Sequence, residues 1–340
     1  MNENKTVDQQ LQLDIQNLSV EYRTMDGTVY AVNGIDLQIP KGKTLGLVGE
    51  TGAGKSTTGL AVLKLIPNPP GVITSGTIKL GDVDIINATE QQMHAIRGKE
   101  VSMIFQDPMT SLNPVIPVGD QIEEVIAYHD KSLSKAEAKE QAMQMLEMVG
   151  ITRERYGEYP HQFSGGMKQR IIIAIALACN PALLIADEPT TALDVTIQAQ
   201  VLDMMRSLRD KYNMALLMIT HDLGIVAEMC DAVSVIYGGR IVEHGSLRDV
   251  FKNTRHPYTE GLFNSLPDME NPQAELKPIP GLMPDPTVRP AGCPFAPRCK
   301  YATEICFQEK PPRLYANEEH YVECHLYDEE SVKVGGRIER

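Results

Sequence analysis

The stretch Thr44-Leu45-Gly46-Leu47-Val48-Gly49-Glu50-Thr51-Gly52-Ala53-Gly54-Lys55-Ser56-Thr57 decides the fold. Its front half, LGLVG, is apolar throughout, as a strand covered on both faces requires. The residues that follow, TTGLAVLKLI, read as a helix that stops at Pro67. Between the two, GETGAGKS matches G-x-x-x-x-G-K-[ST]. The glycines let the chain wrap so that successive backbone N–H groups face one anion, and the helix N-terminus adds its partial positive charge. Lys55 is then placed for phosphate oxygens and the Ser56 hydroxyl for Mg²⁺. A plain glycine-rich turn closing a βα unit is the alternative, and the intact motif with both flanks argues against it.

Working outward, ALLIADE (182–188) and ALLMITHD (215–222) share the apolar character of the first strand, and each adjoins a helical stretch. This predicts a largely parallel α/β core. LDIQNLSVEYR (13–23), AVNGIDLQI (31–39) and SGTIKLGDVDI (75–85) alternate only partly, which predicts an antiparallel N-terminal part. Apolar residues recur at helical spacing in IEEVIAY and AMQMLEMVG, so residues 108–180 read as an α-helical insertion. Residues 265–297 are proline-rich without sustained period and read as an extended connector.

The chain has 340 residues, 42% hydrophobic and 23% charged, enough to bury a sizeable core and unlike a disordered protein. Its formal charge is −13, from 32 basic and 45 acidic residues. With no basic tract it is a poor candidate for nucleic acid, whose phosphates are held mainly by Lys and Arg. The N-terminus lacks the apolar region of a signal peptide, which predicts a protein retained in the cytosol. The longest apolar run, Ile171 to Cys179, is about half of the roughly 20 residues a membrane span needs. A membrane role is therefore expected through partners.

A triphosphatase needs an acid for Mg²⁺ and a group that orients or deprotonates the attacking water. Asp187 and Glu188 close a core strand at its carboxyl end, where ligands of open α/β sheets bind. Asp187 is the expected Mg²⁺ partner and Glu188 the expected base.

Four further motifs complete a recognisable series. Phe163-Ser164-Gly165-Gly166-Met167 resembles the signature sequence of the ATP-binding cassette (ABC) family, usually LSGGQ, with Phe163 and Met167 as departures. Gln106 in MIFQDPMTSLNP is similar to its Q-loop, His221 in LLMITHDLG to its switch histidine, and Asp194 in TTALD to its D-loop aspartate. Order and spacing match over about residues 11–250. The resemblance implies a P-loop NTPase nucleotide-binding domain, with a RecA-like core, an antiparallel β subdomain and an α-helical subdomain. It also implies a head-to-tail dimer with each ATP between one chain's P-loop and the other's signature. ATP would contact Gly49, Glu50, Thr51, Gly52, Ala53, Gly54, Lys55, Ser56, Thr57, Gln106, Asp187, Ser164, Gly165, Gly166 and Asp194. Mg²⁺ would meet Ser56, Gln106 and Asp187, with Lys55, Gln106, Glu188 and His221 acting in catalysis. Tyr22 resembles the aromatic residue that stacks on adenine, with Tyr30 its competitor.

The C-terminal quarter narrows the resemblance. HPYT at 256–259, the connector and GCPFAPRC are similar to the C-terminal extension of oligopeptide/dipeptide importer ATPases, D type. Residues 1–255 are thus expected to form the ATPase domain and 256–340 the extension. The implied partners are a second, F-type ATPase, two transmembrane permease subunits and an extracytoplasmic peptide-binding protein, with this chain peripheral at the cytoplasmic face of the membrane. Relatives handling nickel or other small solutes share the extension. A soluble ABC ATPase, or a metal-cluster sensor uncoupled from transport, are further alternatives.

Four of the 6 cysteines, Cys293, Cys299, Cys306 and Cys324, follow the pattern C-x5-C-x6-C-x17-C, unlike standard zinc-ribbon or ferredoxin spacings. Some peptide-importer ATPases carry a [4Fe–4S] cluster on this pattern. The resemblance implies one here, with Zn²⁺, using His320 or His325, as the alternative. Cys179 and Cys230 read as small buried hydrophobes.

Overall fold

The computed structural model describes residues 10–106, 111–191, 193–265 and 278–328. The start of the expected helical insertion (108–110) and the front of the connector (266–277) lie outside the described residues. In chain order the elements are β1 (Leu11–Thr24), β2 (Gly27–Pro40), β3 (Thr44–Val48), α1 (Lys55–Val62), β4 (Gly71–Leu80), β5 (Val83–Asp84), α2 (Glu90–Ile96) and β6 (Val101–Ile104). A helical segment follows: α3 (Val118–His129), α4 (Lys135–Met148) and α5 (Gly165–Leu177). The chain then returns through β7 (Leu183–Asp187), α6 (Val195–Tyr212), β8 (Ala215–Thr220), α7 (Leu223–Met229), β9 (Ala232–Tyr237) and β10 (Arg240–Ser246). It continues with α8 (Leu247–Lys252), α9 (Pro257–Asn264), α10 (Glu304–Gln308), β11 (Arg313–Tyr315) and β12 (Tyr321–Glu323).

The N-terminal strands form an antiparallel sheet in the order β2-β1-β4-β5. Partial alternation in β1 has a structural cause. Ile15 and Leu18 are both buried although three apart, and the register shifts between them, with Asn17 at φ 48°. A bulge there returns Leu18 to the core face.

The second sheet runs β11-β12-β10-β9-β3-β8-β7-β6. Strands β9, β3, β8, β7 and β6 are parallel, and β10, β12 and β11 add antiparallel at one edge. Every residue of β3, β7 and β8 is buried. Alternate side chains serve two cores. Leu183 and Ile185 join Leu217 and Ile219 in the core shared with the antiparallel sheet. Leu184 and Ala186 join Leu216 and Met218 in the core shared with α5, α6 and α7.

Strands β6, β9, β10, β11 and β12 were not among the sequence expectations. The last two change how the tail is understood. Val322 and Tyr321 pair with Glu243 and His244 of β10, so the tail continues the core sheet and covers what would be an open strand edge. Tyr258 and Phe295 lie in the same core as α7.

Candidate active site

Four adjacent parallel strands, β3, β8, β7 and β6, deliver the candidate residues at their carboxyl ends. The phosphate loop leaves β3, His221 follows β8, Asp187 and Glu188 end β7, and Gln106 follows β6. This is where an open α/β sheet gathers a ligand.

Backbone constraints shape the loop. Gly54 caps α1 at φ 105°, and a Cβ there would stand 2.3 Å from the Ala31 carbonyl oxygen. A Cβ on Gly49 would stand 2.2 Å from the Ile236 carbonyl oxygen. Neither position admits a side chain. Lys55 is buried, and its Nζ donates to the carbonyls of Gly49 (2.8 Å) and Glu50 (3.0 Å). Burial pushes its ammonium below the ordinary lysine value, opposed by the charges of Glu188, Asp187 and Glu50.

Asp187 and Glu188 are adjacent yet held differently. Burial raises the Asp187 carboxyl, and the nearby Ser56 hydroxyl opposes that rise, so two of the three expected Mg²⁺ residues are neighbours. Glu188 has φ 49°, in the left-handed region that costs a non-glycine residue energy. Its N–H donates to the Ile219 carbonyl at 2.8 Å. Its carboxylate meets His221 Nδ1 (2.8 Å), Thr191 Oγ1 (3.0 Å) and Gln106 Nε2 (3.4 Å). Burial pushes Glu188 up, but the His221 and Thr191 hydrogen bonds and nearby positive charge outweigh it and leave it below the usual range.

Ser164 caps α5, its Oγ accepting from Met167 N–H at 3.4 Å. Gly165 has open space around it, whereas a Cβ on Gly166 would meet Ile197 of α6 at 2.5 Å. The two departures from the usual signature share one neighbour. Arg155 stacks its guanidinium 4.1 Å from the Phe163 ring centre and donates to Met167 Sδ at 3.3 Å. Asp194 caps α6, accepting from Ile197 N–H at 3.0 Å. No hydrogen bond among the described residues joins this signature turn to the phosphate loop.

The adenine candidates separate in space. The Tyr22 hydroxyl is 3.4 Å from Thr57 Oγ1, at the start of α1. Tyr30 is engaged by the connector: its N–H donates to the Pro286 carbonyl at 2.8 Å, and the Arg289 guanidinium lies 5.5 Å from its ring centre.

All six cysteines are free thiols. Cys293, Cys299, Cys306 and Cys324 line one cavity, together with His256, Phe295 and His325. Burial raises Cys293 to about 11 and Cys324 to about 12, and in each the neighbouring cysteines push the same way. His256 Nε2 and His325 Nδ1 are buried without a hydrogen-bond partner among the described residues. As the side chains stand, no group of three or more His, Cys, Asp or Glu among the described residues is placed to hold a metal ion. The thiols converge without adopting ligating geometry. His320 faces elsewhere, its Nε2 3.0 Å from Glu243.

Comparison with known proteins agrees with this geometry. Residues 32–191 match the ABC transporter family, and residues 242–306 match the oligopeptide/dipeptide transporter C-terminal region. The oligopeptide transport ATP-binding protein OppD of Bacillus subtilis is 49% identical over 325 residues, covering 95% of this chain and 90% of that protein. The dipeptide transport ATP-binding protein DppD of the same organism is 46% identical over 319 residues, covering 93% and 95%. This chain belongs to the ABC family of peptide-transport ATP-binding proteins. Among solved structures, the ATP-binding cassette MJ0796 bound to ADP and Pi superposes with a TM-score of 0.63 at 24% identity, over 69% of this chain and 99% of that one, a likeness of fold. No helix among the described residues is long and apolar enough to cross a membrane.

Membership in the ABC family leaves three residues that sequence reasoning missed. Thr191 bonds Glu188, and its only signal was a place three residues on in ADEPTT. Tyr258 and Arg298 both reach Glu50, at 2.9 and 2.8 Å, across more than half the chain. No local pattern announces contacts of that range.

Proposed function

We propose that this chain hydrolyses ATP and that the energy drives uptake of oligopeptides or dipeptides across the cytoplasmic membrane. The observation that carries the reading is the meeting of Glu188 with His221 and Gln106, beside the phosphate loop, on adjacent strand ends. Residues 1–255 serve as the ATPase domain and 256–340 as the extension. Permease subunits hold the chain at the cytoplasmic face and an extracytoplasmic binding protein selects the peptide, so substrate does not touch this chain.

On this reading the loop N–H groups bind the phosphates, and Lys55 exchanges two carbonyls for phosphate oxygens. Ser56 and Asp187 suit Mg²⁺: a hydroxyl meets a carboxylate whose burial cost a cation relieves. Gln106 is the third residue of that set. The ion supplies charge neutralisation on the phosphate oxygens. Glu188 takes the proton of the attacking water as its oxygen bonds to the γ-phosphorus, and the bond to the bridging oxygen breaks with its electron pair leaving on ADP. His221 satisfies Glu188 in the present arrangement and turns to the γ-phosphate once nucleotide arrives. Ser164, Gly165 and Gly166 offer a hydroxyl and free N–H groups at the start of α5 to ATP bound by a second ATPase, F type, with Asp194 at the same interface.

Glu188→Gln tests this. Turnover should fall by about a hundredfold or more, while ATP still binds and holds ATPase pairs together. Wild-type turnover in the variant would remove Glu188 as base, and no turnover in the wild-type chain would favour the nucleotide-sensor alternative. Uptake of labelled peptides against nickel, in cells lacking the chain, separates the two importer readings.

We further propose that Cys293, Cys299, Cys306 and Cys324 hold a metal centre, a [4Fe–4S] cluster ahead of Zn²⁺. Support comes from four thiols on one cavity, whose deprotonation the neighbouring cysteines disfavour and a cation would favour, and from the unpartnered imidazole nitrogens of His256 and His325 beside them. Phosphoryl transfer moves no electron, so the centre's role is structural or regulatory. Anaerobic purification should give iron and acid-labile sulfide. Zinc alone would replace the cluster with a zinc site, and neither metal would remove the centre.

A further inference from the structure

We propose that Arg298, in the cysteine-bearing tail, is a positioning residue for the phosphate loop, acting through Glu50. The inference rests on the ATPase reading above. Arg298 ends the short turn Ala296–Arg298 between Cys293 and Cys299. Its side chain is only 7% exposed. Nη1 donates to Glu50 Oε2 at 2.8 Å and to the Tyr237 hydroxyl at 3.2 Å, Nε to the Pro280 carbonyl at 2.9 Å, and Nη2 to the Ile279 carbonyl at 3.2 Å. With three of its nitrogens engaged, the guanidinium plane is fixed and presents one direction to Glu50.

Glu50 is the second residue of the loop, and each of its polar groups is taken. Its carboxylate meets Arg298, its N–H donates to the Tyr258 hydroxyl at 2.9 Å, and its carbonyl accepts from Lys55 at 3.0 Å. Tyr258 is itself fully buried, with its ring 4.5 Å from Tyr237 and 5.4 Å from Phe295. When Lys55 leaves for phosphate, Glu50 keeps a local turn bond from the Ala53 N–H to its carbonyl (3.2 Å), and the two long-range anchors left on it both come from beyond residue 255. A loop that binds through its N–H groups must hold them in one concave arrangement, and ordering it at the moment of binding costs affinity. Arg298 and Tyr258 set that arrangement beforehand. Losing Arg298 therefore weakens nucleotide binding more than the chemical step. A bond that merely anchors the tail makes a different prediction, namely lower stability with unchanged affinity.

The test uses the full chain as Arg298→Ala, Glu50→Gln and the double variant. It reads the Kd of a fluorescent ATP analogue together with kcat and KM for ATP. Each single change should raise Kd and KM by roughly three- to thirtyfold, the range over which residues along a coupled chain of contacts act. The rise in kcat or its fall should stay within about twofold, and the double variant should bind no more weakly than the weaker single, because both abolish the same ion pair. Should Arg298→Ala fail to fold, the isosteric Glu50→Gln reads the same link at a partly exposed position. Unchanged Kd with a lower melting temperature, or effects that add in the double variant, overturns the inference. Wild-type binding alongside unaltered variants overturns it alone, whereas wild-type failure to bind the analogue overturns the ATPase reading as well.

Discussion

Lys55 and Glu243 are both charged side chains withdrawn from solvent, and the protein treats them in opposite ways. Lys55, at 7% exposure, spends its ammonium on two loop carbonyls and is pushed below its ordinary value by burial. Its neighbour Asp187 is pushed up for the same reason, and Glu188 keeps a left-handed backbone. Glu243, at 0% exposure on β10, accepts the N–H groups of Arg255 (2.7 Å) and His256 (3.0 Å) and meets His320 Nε2 (3.0 Å). One site is left with charge that only a ligand relieves. The other is saturated by the tail it ties to the sheet. Buried charge marks function where it is under-compensated and architecture where it is fully bonded.

The largest effects test this contrast directly. Lys55→Ala should lower ATP turnover by about a hundredfold or more while leaving unfolding free energy unchanged or higher, since a desolvated ammonium is removed. Glu243→Ala should do the reverse. It leaves two backbone N–H groups and one imidazole buried without an acceptor, at about 1–3 kcal/mol each, so urea unfolding should show a loss of about 3 kcal/mol or more. Turnover per folded molecule should hold. Equal losses of stability in both variants would break the contrast.

Legibility in the sequence divides along the same line. The phosphate loop, Asp187-Glu188, His221 and the signature turn could be read because phosphate chemistry fixes residue types at short spacing. The strands that carry them were readable because burial on both faces makes β3, β7 and β8 apolar except at one end of each. The tail was opaque for the opposite reason. β11 and β12 are three residues each, too short for a period to show, and they exist because β10 offers an edge. Glu243 reads as an ordinary polar strand residue until His320, 77 residues on, closes over it. Arg298 sits 248 residues from Glu50. Contacts of that range leave no local trace.

Acid should sharpen the difference, because the tail side carries histidines held neutral. Burial lowers His256 to about 4 against the pull of Glu243, and lowers His244 to about 4 with the charges of Arg313 and His320 acting the same way. An unfolded histidine takes its proton near 6.5, whereas these two stay unprotonated until about 4. Between those values the unfolded chain binds more protons, so stability falls as the pH falls, by about 1.4 kcal/mol per pH unit for each histidine. Urea unfolding across that window should show the slope. His256→Asn, which keeps an acceptor at the start of α9, should flatten it. A slope unaltered by that change would place the acid sensitivity elsewhere.

The smallest effect decides between two tyrosines that stand on opposite sides of the comparison. Tyr22 has its hydroxyl 3.4 Å from Thr57 beside the phosphate loop, and Gly71 leaves its ring room, since a Cβ there would lie 3.0 Å from Tyr22 Cε1. Tyr30 is already covered by the connector, through the Pro286 carbonyl and the Arg289 guanidinium. An aromatic contact is worth about 0.5–1.5 kcal/mol beyond burial, so Tyr22→Ala should raise KM for ATP by roughly two- to tenfold with kcat nearly constant. Tyr30→Ala should leave KM unchanged and cost stability instead, about 0.5–1 kcal/mol for the lost cation–π contact. Steady-state kinetics and thermal melts on the two variants read both quantities. If Tyr30 moves KM and Tyr22 does not, adenine lies against the connector, and the tail then belongs to the nucleotide site itself rather than to the scaffold behind it.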